Sequence, residues 1–184
     1  MKTLLTITIA CFISTITLAQ DKYLTKTGSI AFEASVPSFE EVKAKNEATT
    51  VILSTENKEF AALVFVKAFR FKNALMEEHF NENYAESDTY PKANFKGKIS
   101  DFDFDSLDDS KKEMLYSGTL EFHGKTKTLE NLTVSISKNE DGSIVLSGTF
   151  KVNVDDFDIE IPKIVSNKLS KTVDVAFSFT LKKK

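Results

Sequence analysis

Apolar and polar residues alternate along most of this chain, and this pattern is typical of β-strands that bury one face. The alternation is cleanest near the C-terminus, where Val173, Val175, Phe177 and Phe179 are separated by small or polar residues. A slip of one residue would turn such a row outward, so the register of these strands is well specified. The pattern predicts eight strands, at residues 22–35, 49–55, 59–71, 92–102, 113–123, 126–138, 142–154 and 171–182.

Short polar turns at residues 56–58, 123–125 and 139–142 join several of these strands, as in antiparallel hairpins. Eight antiparallel strands in sequence either close into a barrel or split into a sandwich. A barrel leaves no exposed sheet edge, and eight strands leave room inside for one small ligand. We therefore predict an all-β fold, an eight-stranded antiparallel lipocalin-like barrel with one or two short helices.

The predicted strand at 59–71 differs from the others because both of its faces are apolar. Phe65 and Phe69 fall on one side, whereas Phe60 and Val64 fall on the other. A strand that is buried on both sides needs another element to cover it, or else it forms an interface. A homodimer through this strand is therefore one hypothesis for the protein.

Two short helices are predicted between the strands. Ser38 and Glu41 form a capping-box pair, which predicts a helix near residues 39–45. Asn73 is suited to cap a second helix near 74–84, where every fourth residue is apolar or aromatic. That apolar stripe either covers the outer face of the strand at 59–71 or closes one end of the barrel. It consists of Met76, Phe80 and Tyr84.

The first nineteen residues have the three-part layout of a secretory signal peptide. Lys2 supplies the positive start, an apolar run follows, and the small residue Ala19 precedes the expected cleavage site. The apolar run is shorter than the roughly 20 residues that a membrane-spanning helix needs. We therefore predict a signal peptide at 1–19 and a barrel domain at 20–184. The mature protein is expected to be periplasmic or secreted, with no transmembrane segment.

Cysteine and charge restrict the function further. Cys11 is the only cysteine, and a lipoprotein acceptor role for it is disfavoured by the short apolar run before it. The mature chain is therefore expected to have no disulfide, thiol nucleophile or thiolate metal site. The net charge is −3 and the charged residues are interspersed, without the basic face that nucleic acids require. Nucleic-acid binding is therefore not expected.

No residue pattern points to catalysis. The two histidines, His79 and His123, are too few for a zinc site, which needs three or four ligands. The acidic run at 101–109 lacks the glycine and the final glutamate of a calcium loop, and a solvated loop is the favoured interpretation. No Gly-x-Ser-x-Gly elbow and no glycine-rich phosphate loop is present. We expect no catalytic residues, metal or cofactor.

The phenylalanine content is unusual, with 16 Phe and no Trp, and many of these residues lie on the inward rows. Two interpretations remain open at this point. The rings either fill a solid core, or they line an apolar cavity in which Gly97, Gly118 and Gly148 make space. Alternation alone favours the solid core.

Two segments resemble the YceI-like family of exported bacterial proteins. The first contains His79-Phe80, Tyr84, Tyr90-Pro91 and Phe95, in the order of that family's helix, Tyr-Pro pair and following strand. The second is the hairpin at 118–127, where a Gly-x-Leu strand runs into a His-Gly turn and a Thr-Lys pair. The resemblance extends over most of the chain after residue 19.

The resemblance implies an apolar lumen that holds a long-chain lipid, typically a polyisoprenoid, and it shifts the preferred interpretation from a solid core to a cavity. Lys67, Arg70 and His79 are the expected contacts for a charged head group. The alternative is a non-enzymatic interaction module with a solid barrel, which would be homodimeric. The residues expected to line the lumen are Ile30, Phe32, Phe65, Phe69, Phe95, Ile99, Leu120, Phe122, Phe150, Phe177 and Phe179.

Overall fold

The fold is built almost entirely from β-strands. The computed structural model describes residues 22–100 and 103–184, so the predicted signal peptide and Cys11 lie outside the described residues. One helix is present in the described part, with α1 at Ala74–His79 continuing as a π-helical turn at Phe80–Tyr84. Short 3-10 turns occur at Val66–Ala68, Phe104–Ser106 and Val154–Phe157. The strands are β1 Lys22–Ser35, β2 Lys43–Ser54, β3 Glu59–Phe65, β4 Arg70–Phe71, β5 Lys92–Ile99, β6 Lys112–Phe122, β7 Lys125–Lys138, β8 Ile144–Asn153 and β9 Leu169–Lys183.

Eight of these strands close into a barrel. Every hydrogen-bonded pair is antiparallel, and the strands follow one another in the order β1-β9-β8-β7-β6-β5-β3-β2. The ring closes because β1 also pairs with β2. The two-residue strand β4 pairs only with the start of β2, where Phe71 lies opposite Ala44. This arrangement confirms the predicted eight-stranded antiparallel barrel.

The predicted helix near 39–45 is wrong, because this segment belongs to a hairpin. Strand β2 begins at Lys43, and its alternation already buries Ala44 and Asn46. The backbone amide of Ala34 donates to the carbonyl of Val42 at 2.9 Å, which continues the β1–β2 pairing toward the turn. Ser38 has a φ of 74°, in the left-handed region, whereas a helix N-cap needs an extended backbone. Strand pairing therefore overrides the local capping signal.

The predicted strand at 59–71 is interrupted after Phe65. The 3-10 turn at Val66–Ala68 breaks the two-residue alternation, so Phe65 and Phe69 do not share a face as predicted. Phe65 is 49% exposed on the outside of the barrel, whereas Phe69 is buried. The prediction for Phe65 and Phe69 depends on regular alternation across the whole segment, and it is wrong because the turn interrupts that alternation.

The end of the barrel away from α1 is a solid core. Leu53, Ile99, Ile136 and Leu146 meet there from four different strands, and each is at most 1% exposed. Hydrogen-bonded neighbours keep these side chains at one level, since Leu146 lies opposite Ile136 on one side and Phe179 on the other. The solid-core interpretation is therefore correct for this closed end, whereas side chains do not fill the opposite end of the barrel.

Candidate functional site: an apolar cavity under a helical lid

The half of the barrel nearest α1 encloses a cavity of about 590 Å³. This volume is within the range of small-molecule sites, which usually measure about 300–1,000 Å³. Inward residues of β1, β3, β5, β6, β8 and β9 form its wall, and nearly all of them are apolar. The wall residues nearest the open end include Phe32, Val64, Ala93, Phe122 and Val152.

Four aromatic residues form the floor of the cavity. Phe60, Tyr116, Phe177 and Phe179 are the lining residues closest to the closed end on β3, β6 and β9. The rings of Phe177 and Phe179 stack with centroids 5.1 Å apart, and Tyr116 contacts Phe177 edge-on at 6.1 Å. Phe60 lies 5.7 Å from Tyr116. These contacts separate the cavity from the solid core.

The glycines of the wall accommodate phenylalanine rings. A Cβ added at Gly97 would lie 2.5 Å from the ring of Phe95, and one added at Gly148 would lie 2.7 Å from the ring of Phe177. Gly118, opposite Gly97 in the register, meets the same Phe95 ring. The space left by these missing side chains is therefore filled by the rings, which lie against the wall.

The helix at Ala74–Tyr84 forms a lid over the open end, which is one of its two predicted positions. Asn73 caps the helix, because its side-chain oxygen accepts a hydrogen bond from the amide of Leu75 at 2.9 Å. Phe80 anchors the lid to the barrel with ring contacts of 5.2 Å to Phe32, 5.9 Å to Phe69 and 5.2 Å to Phe71. The predicted helix near 74–84 is thus confirmed.

Two loops complete the mouth of the cavity. The β1–β2 turn contributes Phe39 and Glu40, which are both exposed. The long connection between β8 and β9 contributes buried Phe157 and Ile159 and, further along, exposed Lys168. The polar side chains at the mouth are therefore few, and they lie at its edge.

His123 joins three segments next to the mouth. Its Nδ1 lies 2.8 Å from the carbonyl oxygen of Phe157, and its Nε2 lies 3.3 Å from Oε1 of Glu86, just after the lid. His123 and Gly124 have φ values of 49° and 70° and form the two-residue β6–β7 turn, in the backbone conformation that favours glycine. Tyr90 packs against the His123 ring with centroids 4.6 Å apart. His123 therefore connects the β6–β7 turn to the segment after the lid and to the 3-10 turn at Val154–Phe157.

Nine of the eleven residues predicted to line the lumen do border the cavity. The other two do not: Phe65 faces outward, and Ile99 is buried below the floor in the solid core. Ligand binding by the nine stays a prediction. They are Ile30, Phe32, Phe69, Phe95, Leu120, Phe122, Phe150, Phe177 and Phe179.

Of the three predicted head-group contacts, His79 on the lid borders the cavity. Lys67 forms an ion pair with Asp88 at 2.5 Å, and Arg70 forms one with Glu77 at 3.0 Å. Neither of these two cations is part of the cavity lining, because the 3-10 turn and the short strand β4 leave their side chains on the outer surface.

Several residues that line the cavity are not among those predicted from the sequence. Phe60 and Tyr116 sit on inward rows, so alternation places them inside, but alternation does not show how deep the cavity reaches. Phe157 and Lys168 lie between the last two strands, where no periodic pattern exists.

Within residues 22–100 and 103–184, no three His, Cys, Asp or Glu side chains come together as a metal site. The described residues form no helix with the length and hydrophobicity of a transmembrane span.

Known structures share this fold. A polyisoprenoid-binding domain from Saccharophagus degradans, implicated in plant cell wall breakdown, superposes with a TM-score of 0.77 at 16% identity, covering 90% of this chain and 99% of that domain. BcnA of Burkholderia cenocepacia gives 0.67 at 13% identity, covering 84% and 96%. The YceI protein of Campylobacter jejuni gives 0.55 at 16% identity, covering 81% and 88%.

No curated protein matches the sequence significantly. The sequence model of the YceI-like domain, in contrast, matches residues 17–181. This match covers all nine strands except the last residues of β9, and the helical lid as well. The chain therefore belongs to the YceI-like family.

Proposed function

We propose that this protein binds a polyisoprenoid or another long-chain lipid in its cavity and does not catalyse a reaction. The observation that carries the proposal is a 590 Å³ cavity with an almost entirely apolar wall and one accessible end. An apolar chain has no stable environment in water, and burial of each methylene stabilises the bound state by about 0.8 kcal/mol. The S. degradans relative, described as polyisoprenoid-binding, supports the same ligand class.

The polar residues support binding rather than chemistry. Glu40 and Lys168 lie on loops at the mouth, and His79 lies on the lid. A catalytic site would need an acid, base or nucleophile held against a reacting group. In this cavity, the charged side chains instead lie where a ligand would leave the protein. We propose no cofactor. Of the three residues predicted to contact a head group, we propose His79 as the contact for any polar group of the ligand that lies at the mouth.

We further propose that binding takes place outside the cytoplasm, in the periplasm or after secretion. This part of the proposal rests on the signal-peptide layout of residues 1–19. An exported carrier of an isoprenoid needs a dry interior for the chain, and the aromatic floor and the lid together enclose such an interior.

The test is native mass spectrometry of the protein purified from the extracytoplasmic fraction of its host, compared with the mass after denaturation. A discrete excess mass that organic solvent releases would support a lipid carrier and identify the cargo. Phe122→Asp places a charge on the cavity wall and should reduce this excess mass. Phe65→Asp is the matched control, because Phe65 lies on the outer surface. Ala93→Phe fills part of the cavity without a charge, in case Phe122→Asp does not fold.

The interaction-module alternative makes the opposite prediction. Phe65 is 49% exposed and would then contribute to a homodimer surface. Absence of excess mass, together with a concentration-dependent dimer that Phe65→Asp dissociates, would overturn the lipid-binding proposal in favour of this alternative. Sedimentation velocity over a range of protein concentrations measures the dimer directly.

A further inference from the structure

One residue of the cavity floor carries a buried polar atom without a partner. The hydroxyl of Tyr116 is buried and forms no hydrogen bond within the described chain, and the residue is 1% exposed. Three other buried side-chain atoms in the described residues share this property, in Thr49, Asn81 and Ser87. Tyr116 alone of these four residues borders the cavity.

The Tyr116 ring is held in place by aromatic neighbours. Phe60 lies 5.7 Å away, Phe95 lies 5.8 Å away and Phe177 lies 6.1 Å away, measured between ring centroids. All three neighbours are hydrocarbon rings, so they fix the position of the tyrosine but offer its hydroxyl no acceptor oxygen. Burial raises the pKa of the Tyr116 hydroxyl well above the ordinary value of 10.0, so the group is neutral and able to donate a proton.

A buried hydroxyl without a hydrogen bond is destabilising, and a phenylalanine at this position would fill the same space without that penalty. The penalty is removed when a ligand that occupies the cavity places an oxygen atom at the floor. Protein atoms cover the hydroxyl, so a hydrogen bond to a ligand requires one neighbouring ring to shift when the ligand binds.

We propose that Tyr116 donates a hydrogen bond to a neutral oxygen at the inner end of the bound ligand, so that the cavity selects an apolar chain that enters with its oxygen-bearing end first. This inference rests on the proposed lipid-binding function and specifies the ligand chemistry. The oxygen belongs to an alcohol, a phenol or a carbonyl group. A phosphate does not fit the floor, because Phe60, Phe177 and Phe179 provide no cation to offset the cost of burying its charge.

The test uses two ligands that share one branched chain, dihydrophytol with a terminal hydroxyl and phytane without one. Equal amounts of both are delivered to the protein from cyclodextrin, and the bound ratio is measured by extraction and gas chromatography. The native chain should prefer dihydrophytol by about tenfold, since one buried hydrogen bond and the removal of an unpaired donor both favour it. Tyr116→Phe should lose or reverse this preference, because its phytane affinity is unchanged whereas the buried hydroxyl of dihydrophytol no longer has a partner.

Tyr84→Phe is the matched control, because Tyr84 borders the same cavity from the lid. It should retain the preference for dihydrophytol. Loss of the preference in Tyr84→Phe but not in Tyr116→Phe would place the ligand oxygen at the mouth and overturn the proposal. Equal binding of both ligands by the native chain would overturn it as well, while leaving lipid binding intact. Binding of neither ligand would overturn the proposed function itself, and this inference with it.

Thermal unfolding separates these results from a folding defect. Tyr116→Phe should unfold at a temperature no lower than the native chain, because the substitution removes only the unpaired hydroxyl. A lower unfolding temperature without ligand would show that the hydroxyl already has a partner inside the protein, which also overturns the proposal.

Discussion

The ring of Phe177 lies against Gly148, its direct partner on the neighbouring strand, so that the glycine has no room for a side chain. A Cβ at Gly148 would lie 2.7 Å from this ring and 3.0 Å from the carbonyl oxygen of Thr133. One side of the added methyl group therefore meets backbone that cannot move freely. Phe177 is part of the cavity floor, so this contact links strand pairing to the shape of the cavity.

Gly148→Ala should destabilise the protein by about 1–3 kcal/mol, the usual cost of overpacking a well-packed interior. The substitution should also reduce lipid uptake, because Phe177 borders the cavity and a ring displaced from Gly148 would occupy part of it. Urea unfolding measures the first effect, and native mass spectrometry measures the second. Ser147→Ala, on the opposite face of the same strand, should change the free energy of unfolding by less than about 0.5 kcal/mol. Equal stability of both variants would contradict the packing described for Phe177.

Phe80→Ala should loosen the lid and accelerate ligand release. The substitution removes three ring contacts, to Phe32, Phe69 and Phe71, which hold the helix over the mouth. Replacement of a fully buried Phe by Ala usually destabilises a protein by about 3–5 kcal/mol. Because Phe80 is only half-buried, we expect a loss of about 2–4 kcal/mol in the local stability of the lid. Stopped-flow displacement of a fluorescent lipid measures the release rate.

Leu75→Ala is the control for the lid, because Leu75 lies on the same helix and is 55% exposed. It should leave the release rate nearly unchanged. If both variants release lipid at the native rate, the helix does not limit ligand release.

His123→Ala should destabilise the region around the mouth. The imidazole loses its hydrogen bond with the Phe157 carbonyl, its contact with Glu86 and its packing on Tyr90. One lost hydrogen bond with a buried partner costs about 1–3 kcal/mol. Hydrogen exchange should become faster at residues 84–90 and 154–157, which are far apart in sequence. His79→Ala changes the other histidine, which is an exposed residue of the lid, and should leave exchange at 154–157 unchanged.

The free energy of unfolding should decrease at acidic pH, partly because the carboxylate of Asp156 becomes protonated. The hydrogen bond from the Lys127 ammonium, at 2.8 Å, lowers the pKa of this carboxyl below its ordinary value of 3.8. A lowered pKa in the folded state means that the carboxylate contributes stability above the unfolded pKa, and that this contribution disappears as the pH falls through the folded pKa. Asp156→Asn should therefore show a smaller loss of stability than the native chain between neutral pH and pH values below about 4.

The measurement is the unfolding temperature as a function of pH for both chains. Asp155→Asn is the comparison, because Asp155 pairs with Lys171 at the exposed surface of the same turn. A native-like pH profile for Asp156→Asn would show that this ion pair does not contribute to stability.

Most of the barrel was predictable from the sequence, because one buried face and one exposed face impose alternation on each strand. The row that ends at Phe179 illustrates this well. The failures occur where strand pairing or a turn overrides a local signal. Ser38 and Glu41 form a convincing capping pair, yet the β1–β2 hairpin continues through that segment. The outward position of Phe65 depends on one 3-10 turn that alternation does not reveal.

The cavity itself was less predictable than its wall. Inward residues are the same type whether a barrel is filled or hollow, so Phe60 and Ile99 look alike in sequence although only Phe60 borders the cavity. The depth of the floor depends on how rings such as Phe95 lie over glycines, which is a matter of side-chain packing across strands. Lining residues on the connection before β9, including Phe157, follow no period at all.

The solid core at one end of the barrel makes the cavity a dead end. Leu53, Ile136 and Leu146 block passage through the axis, so a ligand enters and leaves by the same mouth. The end of the ligand that enters the cavity first therefore leaves it last, and a second ligand cannot displace the first through the far end of the barrel. For the proposed lipid ligand, exchange would therefore require unloading before loading, and a ligand longer than the cavity would project from the mouth.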